Sequence, residues 1–352
     1  MDERNEIATM LELMLQPAFR VENETITHVN QAAAGLYLQP GQQVLPLIAS
    51  GLEEYQAVGS GCLYLELSLH DQKVGASILR MPEYDIFTLE QQTSLPQLNA
   101  MALAAVELRR PLIGAMAIAE QMLPQFGQQE ETQAAQMNRR LHQLLRVVNN
   151  MTDAASYAST QTISMEYVGI CSFLEEILEK TADLAQKANL QLEYSLPNTE
   201  IYTLVNREKL ERAVYNLLSN ALKFAPSGSV ILVKLVCRNE RLYFTVVNEH
   251  EQAVPLSNIY NRFLRDPGYE DPRNGIGLGM VLVRTTATLH GGAVLVEQAE
   301  NSIRVTMTLK VSHPKDTALR SPSLSIDYSG ERDHCLIELS DVLPASVYDP
   351  NN

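Results

Sequence analysis

Two segments of this chain place apolar residues in strict steps of four and three. The first runs Met101, Ala105, Leu108, Leu112, Ala115, Ala119 and Met122, and the second Met137, Leu141, Leu144, Val148, Met151, Ala155 and Ala158. Such steps line one side of an α-helix with an apolar seam. Pro124-Gln125-Phe126-Gly127 supplies breakers between them, so the pattern predicts an antiparallel helix hairpin. Seams this rich in alanine bury little surface alone, and pairing of two copies into a four-helix bundle is the expected solution. An intrachain hairpin packed on neighbouring domains satisfies the same spacing.

A length of 352 residues predicts two or three separate cores. Lys plus Arg total 27 against 42 for Asp plus Glu, a formal charge of −15, which sets the field against nucleic acid and acidic membrane surfaces. At 45% hydrophobic and 20% charged residues the chain reads as globular. Cys62, Cys171, Cys237 and Cys335 lie far apart and suggest neither a zinc site nor a redox dithiol. The apolar stretch around residues 100–119 is interrupted by Glu107, Arg109, Arg110 and Pro111, so no membrane span is expected. Met1-Asp2-Glu3-Arg4 does not begin like a signal peptide, and the expectation is a cytoplasmic protein.

Residues 1–88 alternate short strand and helix patterns. Extended candidates are Ala18–Val21, Thr25–Val29, Cys62–Leu69, Val74–Leu79 and Asp85–Leu89, broken by Gly51 and Gly59-Ser60-Gly61. A small α+β sensor domain fits. From about Thr162 the pattern becomes one α/β layer: strands near residues 163–168, 190–196, 201–205, 229–238, 241–247, 293–298 and 302–310, with helices over 171–189, 208–224 and from about Leu278. Beyond Ser312 lies a tail in which Cys335-Leu336-Ile337-Glu338-Leu339 reads as a possible extra strand.

The helix over 208–224 carries an apolar stripe of Leu210, Val214, Leu217, Ala221 and Phe224 beside a polar stripe of Asn216, Asn220 and Lys223. Amide oxygens can serve a hydrated Mg²⁺ and the ammonium a phosphate, although a solvated helix face has the same spacing. About fifty residues later Gly275-Ile276-Gly277-Leu278-Gly279-Met280 precedes a helix that stops at His290-Gly291-Gly292. Glycines ahead of a helix let backbone N–H groups approach phosphate at the positive end of the helix dipole.

Together these segments resemble the sensor histidine kinase family over about residues 98–310. Asn216-Leu217-Leu218-Ser219-Asn220-Ala221-Leu222-Lys223-Phe224 is similar to its N box, Gly275–Met280 to its second glycine box, and Ile259-Tyr260-Asn261-Arg262-Phe263 to the F box of its ATP lid. Pro17–Val21 followed by Asn30-Gln31-Ala32-Ala33 resembles the opening of a PAS domain. The resemblance implies an α+β multidomain chain: a PAS-like α/β sensor over 1–88, a HisKA-like dimerisation hairpin over 89–160, a Bergerat-type α/β sandwich ATPase domain over 161–312, and an acidic tail over 313–352. It further implies ATP and Mg²⁺ as cofactors, with Asn220 the metal ligand, Asn216 and Lys223 phosphate contacts, and the backbone of Gly275, Gly277 and Gly279 the phosphate cradle. Implied partners are a second copy or another kinase, and a response regulator.

Departures from the family pattern matter as much. Counting back from Pro255 puts Glu249 at the acidic position that holds adenine, with Glu251 and Ala253 in place of two glycines; an insertion of one residue would put Asn248 there instead. Reduced nucleotide affinity is expected. Glu107-Leu108-Arg109-Arg110-Pro111-Leu112 resembles the H box, whose phospho-acceptor histidine immediately precedes the acid; Val106 stands at that position. A valine offers no nucleophile, so self-phosphorylation there is excluded. Glu107 is retained without a partner to activate, and Arg110, three residues on, is placed to pair with it at the surface. The expected function is that of a degenerate signalling kinase that acts by conformation. Alternatives are an ATP-dependent kinase acting on a histidine of a partner chain, and a scaffold that binds a response regulator without nucleotide.

Overall fold

A computed structural model describes residues 3–70, 72–90, 95–122, 128–156, 164–250, 278–313 and 332–349. Helix α1 (Glu3–Leu13), which the sequence pattern did not announce, leads into β1 (Ala18–Glu22) and β2 (Thr25–Val29). After α2 (Gln31–Ala34), β3 (Ile48–Ser50) and α3 (Leu52–Ala57) come the longer β4 (Gly61–Leu69) and β5 (Gln72–Arg80), then β6 (Asp85–Leu89). These strands pair in the order β2-β1-β6-β5-β4, with β3 on β4. Phe19 stacks on Phe87 at 4.7 Å inside their core. Asn30 is the hub of the entry: its amide donates to the carbonyls of Leu11, Met14 and Gln16, and its Oδ1 accepts from the N–H groups of Ala18 and Ala33.

The hairpin is present as α4 (Leu95–Met122), continuous through Pro111, and α5 (Gln128–Ser156). Met116 packs on Leu145, and Ala119 on Ala134, which fixes the antiparallel register. The seams divide. Ala105, Ala119 and Val148 are buried, whereas Leu108, Met137 and Leu144 are each more than half exposed. Packing inside the chain uses Met116 and Leu145, one residue along from Ala115 and Leu144, so part of each seam is left facing outward. Side chains of Met101, Val106, Met122 and Ala155, and the whole of Ala158, lie outside the described residues.

The remaining strands are β7 (Glu166–Gly169), β8 (Gln191–Ser195), β9 (Tyr202–Val205), β10 (Val230–Arg238), β11 (Arg241–Glu249), β12 (Val294–Gln298) and β13 (Ser302–Lys310), with helices α6 (Ile170–Lys187), α7 (Arg207–Phe224) and α8 (Gly279–Leu289). Strand order β12-β13-β11-β10-β8 forms a layer on which the helices lie, while β7 and β9 pair separately. Alternate residues Leu242, Phe244 and Val246 of β11 enter the core with Leu174 and Ile177 of α6 and Val214 and Leu217 of α7. The sheet does not stop at the expected domain boundary. β4 pairs antiparallel with β12, Tyr64 opposite Val294 and Cys62 opposite Val296, so the described strands of both halves make one eleven-stranded sheet. Gly61 opens that contact at φ +125°, where a Cβ would meet the Val296 carbonyl at 2.5 Å.

The tail departs from expectation. Residues 335–339 do not add a strand: His334–Glu338 forms helix α9, because Asp333 caps it by accepting from the N–H groups of Cys335 and Leu336. Cys335, Leu339, Leu343 and Tyr348 join the core of the second half, and Ile337 inserts between Met116 and Leu145 of the hairpin. All four cysteines are free. Among the described residues no helix is long and apolar enough to cross a membrane.

Candidate functional site

Helix α7 begins at Asn206, whose side chain accepts from Lys209 N–H at 2.9 Å while its own N–H donates to His290 Nε2 at 3.0 Å. The start of α7 is thereby tied to the end of α8. His290 completes the tie through Nδ1, 2.7 Å from the Thr286 carbonyl, so Nδ1 carries the proton and Nε2 accepts. Burial holds its pKa below the ordinary histidine value, and Lys209 acts in the same direction. The glycines after it close the helix: Gly291 sits at φ +68°, and the N–H groups of Gly291 and Gly292 bond to the carbonyls of Thr288 and Ala287. A Cβ on Gly292 would overlap the Thr308 carbonyl of β13, so only glycine fits.

The two ties bring the polar stripe of α7 to the beginning of α8. Asn216 lies against Gly279: a Cβ at residue 279 would come within 2.8 Å of Asn216 Oδ1. The first N-box residue thus touches the last glycine of the loop motif, and the missing side chain is what permits it. Asn220 and Lys223 are half-buried along the same helix, with Lys223 Nζ 5.3 Å from the Phe224 ring. Gly275, Gly277, Glu251, Ala253 and residues 259–263 lie outside the described residues.

Asn216 is only 1% exposed, and the reason is a contact that sequence reasoning did not foresee. Arg146 of α5 donates to Asn216 Oδ1 at 3.4 Å. Its other nitrogens reach Glu338 Oε2 at 3.3 Å and Asp341 Oδ2 at 2.7 Å, both on the tail. Glu338 is fully buried and also faces Arg212 of α7 at 3.4 Å. Arg212 in turn pairs with Asp153 and donates to the Asn149 carbonyl and the Asn150 amide oxygen. Each buried charge has an opposite neighbour, as buried ions require. The available signal was Arg146 and Arg212 on otherwise buried helix faces, and Glu338 inside an apolar run.

At the end of β11 the alternation Leu242, Phe244, Val246 continues to Asn248, which is buried on the α7 side, whereas Glu249 is exposed on the opposite face. Asn248, rather than Glu249, therefore shares the face with Asn216. Its amide donates to the Glu249 carbonyl at 2.7 Å. His250 is 8% exposed, and neither ring nitrogen is hydrogen-bonded among the described residues. On the hairpin, Glu107 and Arg110 are both exposed, and no ion pair between them is found among the described residues, contrary to the expected surface pairing. His142 is buried, with Nδ1 2.9 Å from the Asn138 carbonyl and its ring 5.0 Å from that of Tyr348. No cluster of metal-ligating His, Cys, Asp and Glu occurs among the described residues. An amide set with one ammonium suits a hydrated Mg²⁺ and phosphate better than it suits a tightly held metal.

A mixed sheet covered by α6, α7 and α8, with an asparagine stripe facing a glycine-led helix, defines an ATPase-type nucleotide domain. Residues 205–313 match the family described as histidine kinase-, DNA gyrase B-, and HSP90-like ATPase. The protein titled histidine kinase P4 of Formosa agariphila is 28% identical over 200 residues, covering 53% of this chain and 14% of that protein. The sensor histidine kinase WalK of Bacillus subtilis is 23% identical over 173 residues, 47% of this chain and 28% of its own. Among solved structures, full-length ShkA in complex with AMPPNP superposes with a TM-score of 0.51 at 20% identity, covering 61% of this chain and 46% of that one, a likeness of fold. Residues 205–313 thus carry a histidine kinase-type ATPase domain, and the chain around them is similar to sensor histidine kinases. It spans less than a third of the length of either of these two relatives.

Proposed function

We propose that this chain is a two-component signalling protein in which the nucleotide fold is kept and the phospho-acceptor is lost, so that it binds ATP weakly or not at all and signals through conformation. The observation that carries this reading is the pairing of Val106 at the acceptor position with Arg146 seated on Asn216. A hydrocarbon cannot accept a phosphoryl group, and both ends of the Asn216 amide are engaged, Oδ1 accepting from Arg146 and Nδ2 donating to the Arg212 carbonyl at 2.8 Å. When bound, Mg-ATP supplies a triphosphate and a hydrated cation. Asn220 would hold the cation, Asn216 and Lys223 the phosphates, the backbone of Gly275, Gly277 and Gly279 the cradle, and Asn248, with its amide already oriented, the base edge.

The partner assignments follow the same reading. Exposed Leu108, Met137 and Leu144 support a second copy, or another kinase, against the hairpin. The strand order β2-β1-β6-β5-β4 supports a PAS-like input module, and similarity to sensor histidine kinases supports a response regulator as downstream partner. Titration calorimetry with Mg-ATP on the wild type and on Asn220→Ala is the test. A dissociation constant in the high micromolar range or weaker, lost in Asn220→Ala, is expected; submicromolar binding with phosphoramidate on the wild-type chain refutes it. A second reading, transfer of phosphate to a histidine of a partner chain, is favoured by the retained fit between Asn216 and Gly279. It requires partner labelling that disappears in Asn220→Ala.

A further inference from the structure

The tail is held by more than apolar contact. Arg139 donates to the carbonyls of Ser340 and Asp341, Gln143 to that of Ser340, and Asn138 to that of Tyr348, so successive turns of α5 grip the segment by its backbone. From α7, Glu211 meets His334 at 2.9 Å. Thr181 of α6 touches Cys335. Residues 332–349 thus bridge the hairpin and the nucleotide domain, and their two carboxylates, Glu338 and Asp341, point two nitrogens of Arg146 so that the third reaches Asn216.

We propose that residues 332–349 form an autoinhibitory strap: docked, they hold Arg146 on Asn216 Oδ1 and the hairpin against α7, and the hydrated cation of Mg-ATP reaches that amide oxygen only when the contact is released. This deepens, and rests on, the reading of the α7 stripe as a nucleotide site. An arginine already neutralised by two carboxylates offers a phosphate little attraction, and the same carboxylates repel the triphosphate. Coupling of this kind is reciprocal: if the strap weakens nucleotide binding, nucleotide loosens the strap by the same factor. A partner that captures the tail would then act as an activator without touching the nucleotide site.

The strap has its own reporter. Cys335 is 1% exposed in the docked tail, and Cys237 is the exposed cysteine that serves as reference. The experiment compares the wild type, a chain ending at Gly330 and full-length Glu338→Gln, which keeps the shape and removes the charge shared by Arg146 and Arg212. Mg-ATP affinity is read by calorimetry and Cys335 alkylation by mass spectrometry. At least tenfold tighter Mg-ATP binding in the shortened chain is expected. In Glu338→Gln, threefold or more tighter binding and at least tenfold faster alkylation of Cys335 are expected, with Mg-ATP accelerating that alkylation further. Equal affinity in all three proteins overturns the strap while leaving the nucleotide site standing. Absence of binding in all three overturns both readings together, and Cys335 alkylation unchanged in Glu338→Gln overturns the strap even if the shortened chain fails to fold.

Discussion

Glu54 on α3 accepts from Arg241 of β11 at 2.9 Å and from Thr308 of β13 at 2.6 Å, an ion pair between the N-terminal module and the nucleotide sheet in which the carboxylate side chain is 4% exposed. Arg284 of α8 makes the corresponding contact with Glu90, beyond β6, while lying 4.5 Å over the Tyr64 ring. The helix that follows the glycine loop is thus held by the module that precedes the hairpin.

Cooperative unfolding follows. Chemical denaturation followed by circular dichroism and by tyrosine emission should give one coincident transition for the two sheet halves. Glu54→Ala should lower stability by about 1–3 kcal/mol, because Arg241 and Thr308 lose their shared carboxylate, Arg241 keeping Glu53 and the Gly291 carbonyl. Two separated transitions in the wild type would show that the shared sheet does not couple the halves.

Asn30 should be the most sensitive polar residue of the N-terminal module. Replacement by alanine strands several buried carbonyl and N–H groups at once, and a loss on the order of 3 kcal/mol is expected from thermal or urea unfolding. Asn30→Asp should be nearly as damaging, since it keeps the two acceptances from Ala18 and Ala33 but gives up the three donations. A change under about 0.5 kcal/mol in either variant would contradict the hub.

The His290 ring should stay neutral at pH values where a free histidine is charged. Because its folded pKa is depressed by burial, the unfolded chain binds the proton first. Its contribution to stability is complete above the unfolded value, near 6.5, and is lost progressively as the pH falls below it toward the lower folded value. Nuclear magnetic resonance titration should find an Nδ1–H tautomer persisting below that point; an ordinary midpoint would refute the arrangement.

Incubation of the wild-type chain with radiolabelled Mg-ATP should leave no acid-labile phosphate on α4, since Val106 provides no acceptor. Peptide mapping after incubation is the measurement. Label on any residue of α4 would mean that the H-box register is misplaced.

Much of this was readable beforehand. Apolar alternation located β13 and, within a residue or two, most other strands, and the asparagine stripe foresaw the contact of Asn216 with Gly279. What escaped is instructive. Alternation from Leu242 through Val246 points to Asn248 as the inward residue, whereas counting back from Pro255 points to Glu249; the strand period carries physical weight that a count across a loop does not. The apolar run at 335–339 is too short for periodicity to distinguish strand from helix, and Asp333 was the cue. Pairing of β4 with β12 is made by backbone groups, which leave no side-chain code in either strand. Arg146, Arg212 and Glu338 come from three distant segments, and only folding reveals that each answers another's charge.

The seam between Cys62–Tyr64 and Val294–Val296 bears on how the protein can be cut apart. Excising the ATPase-like portion alone would leave β12 with a bare row of amide donors and carbonyl acceptors beside the apolar Val294 and Val296. Such a border recruits strands from neighbouring molecules. A fragment beginning near residue 161 should therefore self-associate, and the chain that keeps all of β1–β6 should not.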